Sequence, residues 1–140
     1  MKKTIGLLLS ILFVAAFTTC KKDKPLSEIM LGKWRVKTVL VNGYANDVLV
    51  ADSTVTYSSN EEEIEISGNR TGKHFSHGIV DATFDWTLNG NKLTIDLGTS
   101  IEELEISVNG DTLVYKMIVD TWVENTITYK IEVIYTAKRI

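Results

Sequence analysis

The fold is decided by the stretch Phe84-Asp85-Trp86-Thr87-Leu88-Asn89-Gly90-Asn91-Lys92-Leu93-Thr94-Ile95-Asp96-Leu97. On both sides of Asn89-Gly90, apolar side chains alternate with polar ones, which is the pattern of half-buried strands. An Asn-Gly pair accepts the positive φ angles of a tight hairpin turn. The stretch therefore predicts an antiparallel hairpin, with inward side chains Phe84, Trp86, Leu88, Leu93, Ile95 and Leu97.

The same period of two extends outward from this hairpin in both directions. Towards the C-terminus, Asn109-Gly110 predicts a second tight turn, and the last and longest strand is expected from Thr126 to Arg139. Towards the N-terminus, alternation begins at Trp34, and Asn42-Gly43 is expected to end the first strand. The pattern predicts eight or nine short antiparallel strands that follow one another in sequence order.

The predicted fold class is all-β. An open meander of this length would leave two unpaired edges, so we expect closure into an antiparallel up-and-down β-barrel of about eight strands. A two-sheet β-sandwich is the alternative. A short helical turn within Leu26–Leu31, with Ser27 as its cap, is expected before the first strand, and residues 26–140 form one domain.

The N-terminus has the three regions of a secretory signal. Two lysines precede an uncharged, mostly apolar run from Ile5 to Phe17, which is too short to cross a bilayer core of about 30 Å. Residues 1–19 are therefore expected to be removed. The segment resembles a bacterial lipoprotein signal, which implies that Cys20 carries a diacylglycerol and that residues 20–25 form a lipidated tether. An ordinary secreted protein with an incidental cysteine is the alternative.

Charge and cysteine content narrow the expected partners. Without Lys2 and Lys3 the chain carries 13 basic and 18 acidic residues, and it has no basic cluster beyond the tether, so nucleic acid is not an expected partner. Cys20 is the only cysteine, which excludes an internal disulfide and suits acylation. The lipid would attach the protein to a membrane. By resemblance to the lipoprotein sorting rule, Lys21 after the cysteine implies the outer membrane, on its periplasmic or cell-surface side.

One segment resembles a known family. A helical turn, then Gly32-Lys33-Trp34 at the start of a β meander that ends in a basic residue, is similar to the lipocalin-like lipoproteins of Gram-negative bacteria. The resemblance implies that Trp34 lies at a closed barrel end with an arginine across it. Strand parity selects Arg139, since it shares a face with Ala137, and the signature is then Gly32, Trp34 and Arg139. A core tryptophan in some other β domain is the alternative.

No catalytic constellation is found in the sequence. His74 and His77 are three residues apart, which on a strand places them on opposite faces, so a metal site with Asp81 and Asp85 is not expected. The acidic runs 61–65 and 102–105 are expected to be mostly solvated surface. The chain is accordingly expected not to be an enzyme and to hold no metal and no cofactor besides the lipid.

The inward positions give two hypotheses of function. They are almost wholly apolar, and a barrel of eight strands can either be filled by side chains or hold one small ligand. The first hypothesis is a small apolar or amphipathic ligand in a pocket at the open end, lined by Phe84, Trp86, Tyr115 and Tyr129. Under the same hypothesis the domain could instead serve as an accessory binding module of the envelope. The second hypothesis is an interaction protein whose filled barrel binds another protein and has no small-molecule site. A connected apolar void would favour the first hypothesis, and a solid core the second.

Overall fold

The computed structural model describes residues 23–140. The expectations for the signal peptide and for Cys20 fall outside this part of the chain. No helix between residues 23 and 140 is long and apolar enough to cross a membrane. The elements are α1 (Leu26–Ile29), β1 (Gly32–Ala45), β2 (Val48–Thr56), β3 (Glu62–Ile66), β4 (Thr71–Ser76), β5 (Ile79–Asn89), β6 (Lys92–Asp96), β7 (Ile101–Asn109), β8 (Thr112–Glu124) and β9 (Ile127–Arg139).

The strands form a closed ring. From β3 to β9 each strand pairs antiparallel with the next, and β9 pairs with β1, which closes a ring of eight strands with β3 on the other side of β1. β2 lies beside the C-terminal part of β1, along the edge whose N-terminal part is occupied by β3. The predicted all-β up-and-down barrel is therefore confirmed, and the sandwich alternative is wrong.

The barrel is closed at the end where α1 meets β1. Trp34 is fully buried and donates its indole N–H to the Met30 carbonyl at 2.9 Å. The Arg139 guanidinium lies 4.1 Å from the Trp34 ring and donates to the carbonyls of Ile29 and Leu31 at 2.6 Å each. The expected contact between Arg139 and Trp34 is thus present. It fastens α1, β1 and β9 together by a cation–π contact and two charged hydrogen bonds.

The core follows the alternation of the strands. The inward positions expected from residues 84–97 all belong to the core or pack against it, and so do those of the last strand from Ile131 to Ala137. The fully or nearly fully buried apolar side chains are Met30, Trp34, Val36, Val39, Ile64, Ile66, Phe84, Trp86, Leu93, Ile95, Leu104, Ile106, Leu113, Tyr115, Val133 and Ala137.

Two local expectations for the first strand are wrong: that it ends at Asn42-Gly43, and that regular alternation from Trp34 puts Val36, Thr38 and Leu40 on one face with it. The chain turns at Asn46-Asp47, where φ is 47° and 63°, and not at Asn42-Gly43. β1 continues through Gly43 because it pairs with β9 as far as Ala45. A bulge between Val36 and Thr38 shifts the register, so that Thr38 no longer shares the inward face of Trp34.

The helical turn is also built differently from the expectation. Pro25 occupies the position before α1, and no side chain caps the helix, so Ser27 is not the cap. Proline suits this place because its missing N–H would lack an intrahelical partner there.

At the other end of the barrel the strands separate. The β7–β8 ladder stops at Glu105 and Lys116, whereas β8 and β9 stay paired up to Glu124 and Ile127. β2, the distal parts of β1 and β8, and the first half of β9 therefore project beyond the ring as a four-stranded sheet. We call it the projecting sheet.

Candidate functional site

A groove opens where β7 and β8 separate. Its volume is about 850 Å³. Its lining combines the core side chain of Leu104 with charged side chains, because inward- and outward-facing residues of both β7 and β8 border the gap. The lining residues of this open-end groove are Lys92, Ser100, Ile101, Glu102, Glu103, Leu104, Glu105, Lys116, Met117, Ile118, Val119, Lys130 and Glu132.

Tyrosines form a second feature inside the open end. The rings of Tyr115 and Tyr135, which face each other across β8 and β9, are stacked with centroids 4.6 Å apart and planes 7° from parallel. Tyr115 is 9% exposed, and its hydroxyl makes no hydrogen bond with any described residue. Together with Tyr57, Glu62 and His74 these residues form the mouth cluster.

His74 is held between two carboxylates. Its Nε2 lies 3.0 Å from Glu62 Oε1 and its Nδ1 lies 2.6 Å from Asp81 Oδ1. The hydrogen bond to Glu62, with that to Asp81, raises the pKa of His74 from its ordinary 6.5 to about 9, although burial acts in the opposite direction. The hydrogen bond to His74 lowers the pKa of both carboxylates. His74 is therefore an imidazolium at neutral pH, and both its nitrogens donate, so it cannot act as a general base.

The hydroxyls of the mouth cluster share one electrostatic environment. Burial first, and then the Glu62 carboxylate, raises the pKa of Tyr57, Tyr115 and Tyr135. Glu102 further raises the pKa of Tyr135. Glu62 is on β3 and Glu102 on β7, which lie on opposite sides of the ring. Two carboxylates on opposite sides of the ring thus both raise the pKa of Tyr135.

A comparison of the sequence with models of protein families identifies the family of this domain. The model of the lipocalin-like domain matches residues 30–115. The chain belongs to the lipocalin-like domain family. The match begins at Met30, beside the closed end, and includes all of the mouth cluster except Tyr135. No curated protein and no solved structure gave a significant match.

The four residues expected to line a pocket are not gathered around one opening. Phe84, Trp86 and Tyr115 belong to the buried core of the lipocalin-like domain. The Trp86 indole N–H donates to the carbonyls of Ser67 and Thr71, each at 3.1 Å. Tyr129 lies on the projecting sheet, where it stacks on Trp122 at 5.2 Å. Phe84 and Trp86 thus lie in the core and Tyr129 lies on the projecting sheet, so the four side chains do not line one pocket.

The histidines and the aspartates near them are also separated. His77 lies in the turn between β4 and β5 with φ 50° and contacts the Ser76 hydroxyl. Asp81 binds His74, whereas Asp85 lies opposite Thr71 and Asp96. Among residues 23–140 no group of three or more His, Cys, Asp or Glu side chains is arranged to hold a metal ion.

The expectation that the first acidic run is solvated surface is wrong for two glutamates. Glu63 is 2% exposed and accepts from Lys33 Nζ at 2.6 Å and from Arg35 at 2.8 Å. The hydrogen bond from Lys33, with that from Arg35, lowers the pKa of Glu63. Glu62 faces the interior. Its sequence signal was present, because Glu62 has the parity of Ile64 and Ile66.

The sequence also contained a signal that Glu102 points inward, since Glu102 shares the strand parity of Leu104 and Ile106. Strand parity could not identify His74 as part of the site. It is opposite Ile64 on β3, but a bulge between His74 and Phe75 shifts the register of β4 against β5. That bulge brings Asp81 into contact with His74. The sequence around neither residue indicates that a bulge is present.

Proposed function

We propose that this lipocalin-like domain binds a small amphipathic molecule at its open end. The observation that carries the proposal is the open-end groove of about 850 Å³, which reaches the core side chain Leu104 and the half-buried Met117. Ligand pockets in proteins measure about 300 to 1,000 Å³ and combine apolar walls with a few polar groups. The groove and the adjoining mouth cluster provide both.

The buried core supports a ligand site at the open end. Trp34, Phe84 and Trp86 lie inside the barrel and are at most 7% exposed. A ligand that entered along the barrel axis would have to displace these rings. The burial of each ring stabilises the fold by about 2 to 3 kcal/mol, which displacement would lose. Binding between β7 and β8 requires no such displacement.

Retained ligand in the native protein tests this proposal. Native mass spectrometry of the full chain, extracted from its own envelope, should show a noncovalent mass in addition to the protein and its lipid. Met117→Trp should remove that mass because an indole would fill the groove. Thr87→Trp, on the exposed outer face of β5, is the control and should retain it. No added mass in the wild type after mild extraction, or equal retention by both variants, would contradict the proposal.

We further propose that the domain is anchored to the outer membrane of a Gram-negative cell through lipid on Cys20. The tether from Cys20 to Lys24 can span about 17 Å at most. α1 follows the tether directly and lies at the closed end. An anchor at Cys20 would hold the closed end beside the bilayer and the open-end groove away from it.

Fatty-acid labelling tests the anchor independently of any ligand. Radiolabelled palmitate should enter the wild-type chain and not Cys20→Ala. Equal labelling of the two proteins would contradict the proposed anchor at Cys20. A ligand retained by Cys20→Ala would leave the binding proposal intact.

We propose no catalytic role for the mouth cluster. His74 is protonated and fixed by two carboxylates, and the tyrosines have raised pKa values, so these groups hold protons at neutral pH. A binding role agrees with this state, whereas acid-base catalysis needs a group that titrates near the working pH.

A second candidate function is the binding of an envelope protein through β2. All of β2 is exposed, and within the described chain it pairs with β1 alone. Val48, Leu49 and Val50 are 64%, 51% and 61% exposed. An exposed edge strand that begins with four apolar residues and contains no lysine or proline is suited to pair with an extended segment of another protein.

Substitution at this edge distinguishes the second candidate from the first. Val50→Lys should abolish a complex that forms through β2 and should leave ligand retention unchanged, since β2 does not line the open-end groove. Crosslinking in intact cells from position 50, compared with position 114 on β8, would detect the complex. An equal pattern at both positions would count against an interface at β2.

A further inference from the structure

We infer that the molecule bound at the open end carries a positively charged head group, as in an amphipathic amine. This inference rests on the proposed function, because it assigns the chemical class of ligand to the same site. Three independent features of the described residues support it: the sign of the inward charges, an unpartnered tyrosine hydroxyl, and the apolar surface next to it.

The inward charges at the open end are mostly negative. Glu62 lies on the inward face of β3, Glu102 lines the open-end groove from β7, and the half-exposed Asp81 binds His74. The cation that faces them is His74, which is already bound by Glu62 and Asp81. Glu102 has no ion-pair partner among residues 23–140.

The lysines near the open end do not neutralise this interior. Lys116 binds Glu105 at 3.0 Å and Lys130 binds Asp47 at 3.0 Å. Both lysines border the open-end groove, and so does Lys92, which binds Glu103 at 3.5 Å; each of the three is thus already paired with a carboxylate. A cationic head group between Glu62 and Glu102 would therefore meet two carboxylates that none of these lysines binds.

The Tyr115 hydroxyl is the second feature. More than nine tenths of this residue is buried, yet its hydroxyl has no hydrogen-bond partner among the described residues. The described chain contains no sealed polar side-chain atom that lacks a partner, so this hydroxyl retains contact with open space. Glu62, Tyr57 and Tyr135 all act on it electrostatically, which places that space in the mouth cluster. An ammonium group could donate to this oxygen and lie against the tyrosine rings.

An apolar surface continues outward from the mouth cluster. Val41, Met117 and Ile131 pack against the core and are only partly buried. Val41 and Ile131 belong to the inward face of the projecting sheet, and Met117 is opposite Val133 on the same face. The head group would thus lie among the tyrosines, and an apolar tail would extend outward along the projecting sheet.

Three probes of equal chain length test the inference. Equilibrium dialysis would use radiolabelled octylamine, octanol and octanoate against the full chain in phosphatidylcholine nanodiscs, with empty nanodiscs as the background. Octylamine should bind at least about tenfold more tightly than octanol, and octanoate most weakly, because only the ammonium group gains from the carboxylates. Equal binding of all three probes would overturn the positive head group and leave the proposed function standing. Binding of none of them would count against both.

Matched variants locate the charge that selects the head group. Glu62→Gln keeps the shape and a hydrogen-bonding oxygen for His74, and should reduce octylamine binding to the level of octanol without changing octanol binding. Glu65→Gln, on the outer face of the same strand, is the control and should bind octylamine as the wild type does. Tyr115→Phe should weaken octylamine more than octanol. Unchanged selectivity in Glu62→Gln would overturn the inference.

Discussion

At the scale of single residues, the closed end depends on one buried indole. Trp34 is 0% exposed, its N–H is bonded to Met30, and its ring carries the Arg139 guanidinium. Arg139 in turn satisfies two carbonyls of the helical segment, which is too short to be stable alone. Helix, first strand and last strand are therefore energetically coupled through this side chain.

Trp34→Ala should lower the free energy of unfolding by about 3 to 5 kcal/mol, because it removes a fully buried ring and leaves a cavity. Urea denaturation of the variant and wild type would measure the loss. Trp122→Ala is the control, since Trp122 is 41% exposed on the projecting sheet, and should cost less than about 1 kcal/mol. Similar losses for the two variants would contradict the assigned role of Trp34.

The free energy of unfolding should decrease as the pH rises above 6.5 and His74 loses its proton. Its pKa rises from 6.5 to about 9 on folding, so the stabilisation is complete below pH 6.5 and is lost as the pH rises through 9. We expect a loss of about 1 to 2 kcal/mol over this range, since solvent screens a half-buried group. Urea denaturation of wild type and His74→Gln at several pH values would test it. Parallel curves for the two proteins between pH 6.5 and 9 would show that His74 does not contribute.

At the scale of elements, β4 and β5 approach one another closely at Gly72. The Phe84 ring lies directly over this glycine, and a Cβ there would also lie 2.7 Å from the Glu65 carbonyl oxygen. Glycine is thus required by the contact between strands, since the φ angle of Gly72 is not in the left-handed region.

Gly72→Ala should destabilise the fold by about 1 to 3 kcal/mol, because the new methyl group overlaps a buried ring and a backbone carbonyl. Gly68→Ala is a matched control in the preceding turn, where a Cβ would meet only Leu31 at an ordinary 3.5 Å. Thermal unfolding of both variants would show the difference. A Gly72→Ala variant as stable as Gly68→Ala would mean that the Phe84 ring moves aside freely.

At the scale of the whole molecule, order should decrease from the closed end to the projecting sheet. The ring is filled and each of its strands is paired on both sides near α1. β2 and residues 118–124 of β8 are exposed and have one free edge. Local opening requires least free energy where few apolar contacts are lost.

Native-state hydrogen exchange should therefore be at least about tenfold faster in β2 and in residues 118–124 than in the β1–β9 ladder around Trp34 and Ala137. β9 from Tyr129 to Ile134 is an internal control, because it belongs to the projecting sheet but is paired on both edges. Uniform protection across the sheet would show that the projecting part opens only when the barrel unfolds.

The alternation of apolar side chains could be interpreted from the sequence alone. It determined the antiparallel pairing, the strand order from β3 to β9 and most of the core, because a period of two directs side chains to one face regardless of the partner strand. It did not predict that β1 pairs with β3 and leaves β2 outside the ring. Parity also selected Arg139 for the contact with Trp34, whereas Glu62 and Glu102 were included in acidic runs expected to be solvated. The family match over residues 30–115 agrees with the resemblance at Gly32-Lys33-Trp34.

Only the tertiary structure decided where strands lose their partners and where register shifts. Bulges near Lys37 and between His74 and Phe75 are single-residue events that alternation cannot detect, and they decide that Thr38 faces outward and that Asp81 meets His74. The gap between β7 and β8 arises because the two neighbouring strands diverge. Divergence depends on how the strands lie relative to each other, so the sequence of either strand alone does not predict it. The barrel was thus determined locally, whereas its open-end groove depends on contacts between residues distant in the chain.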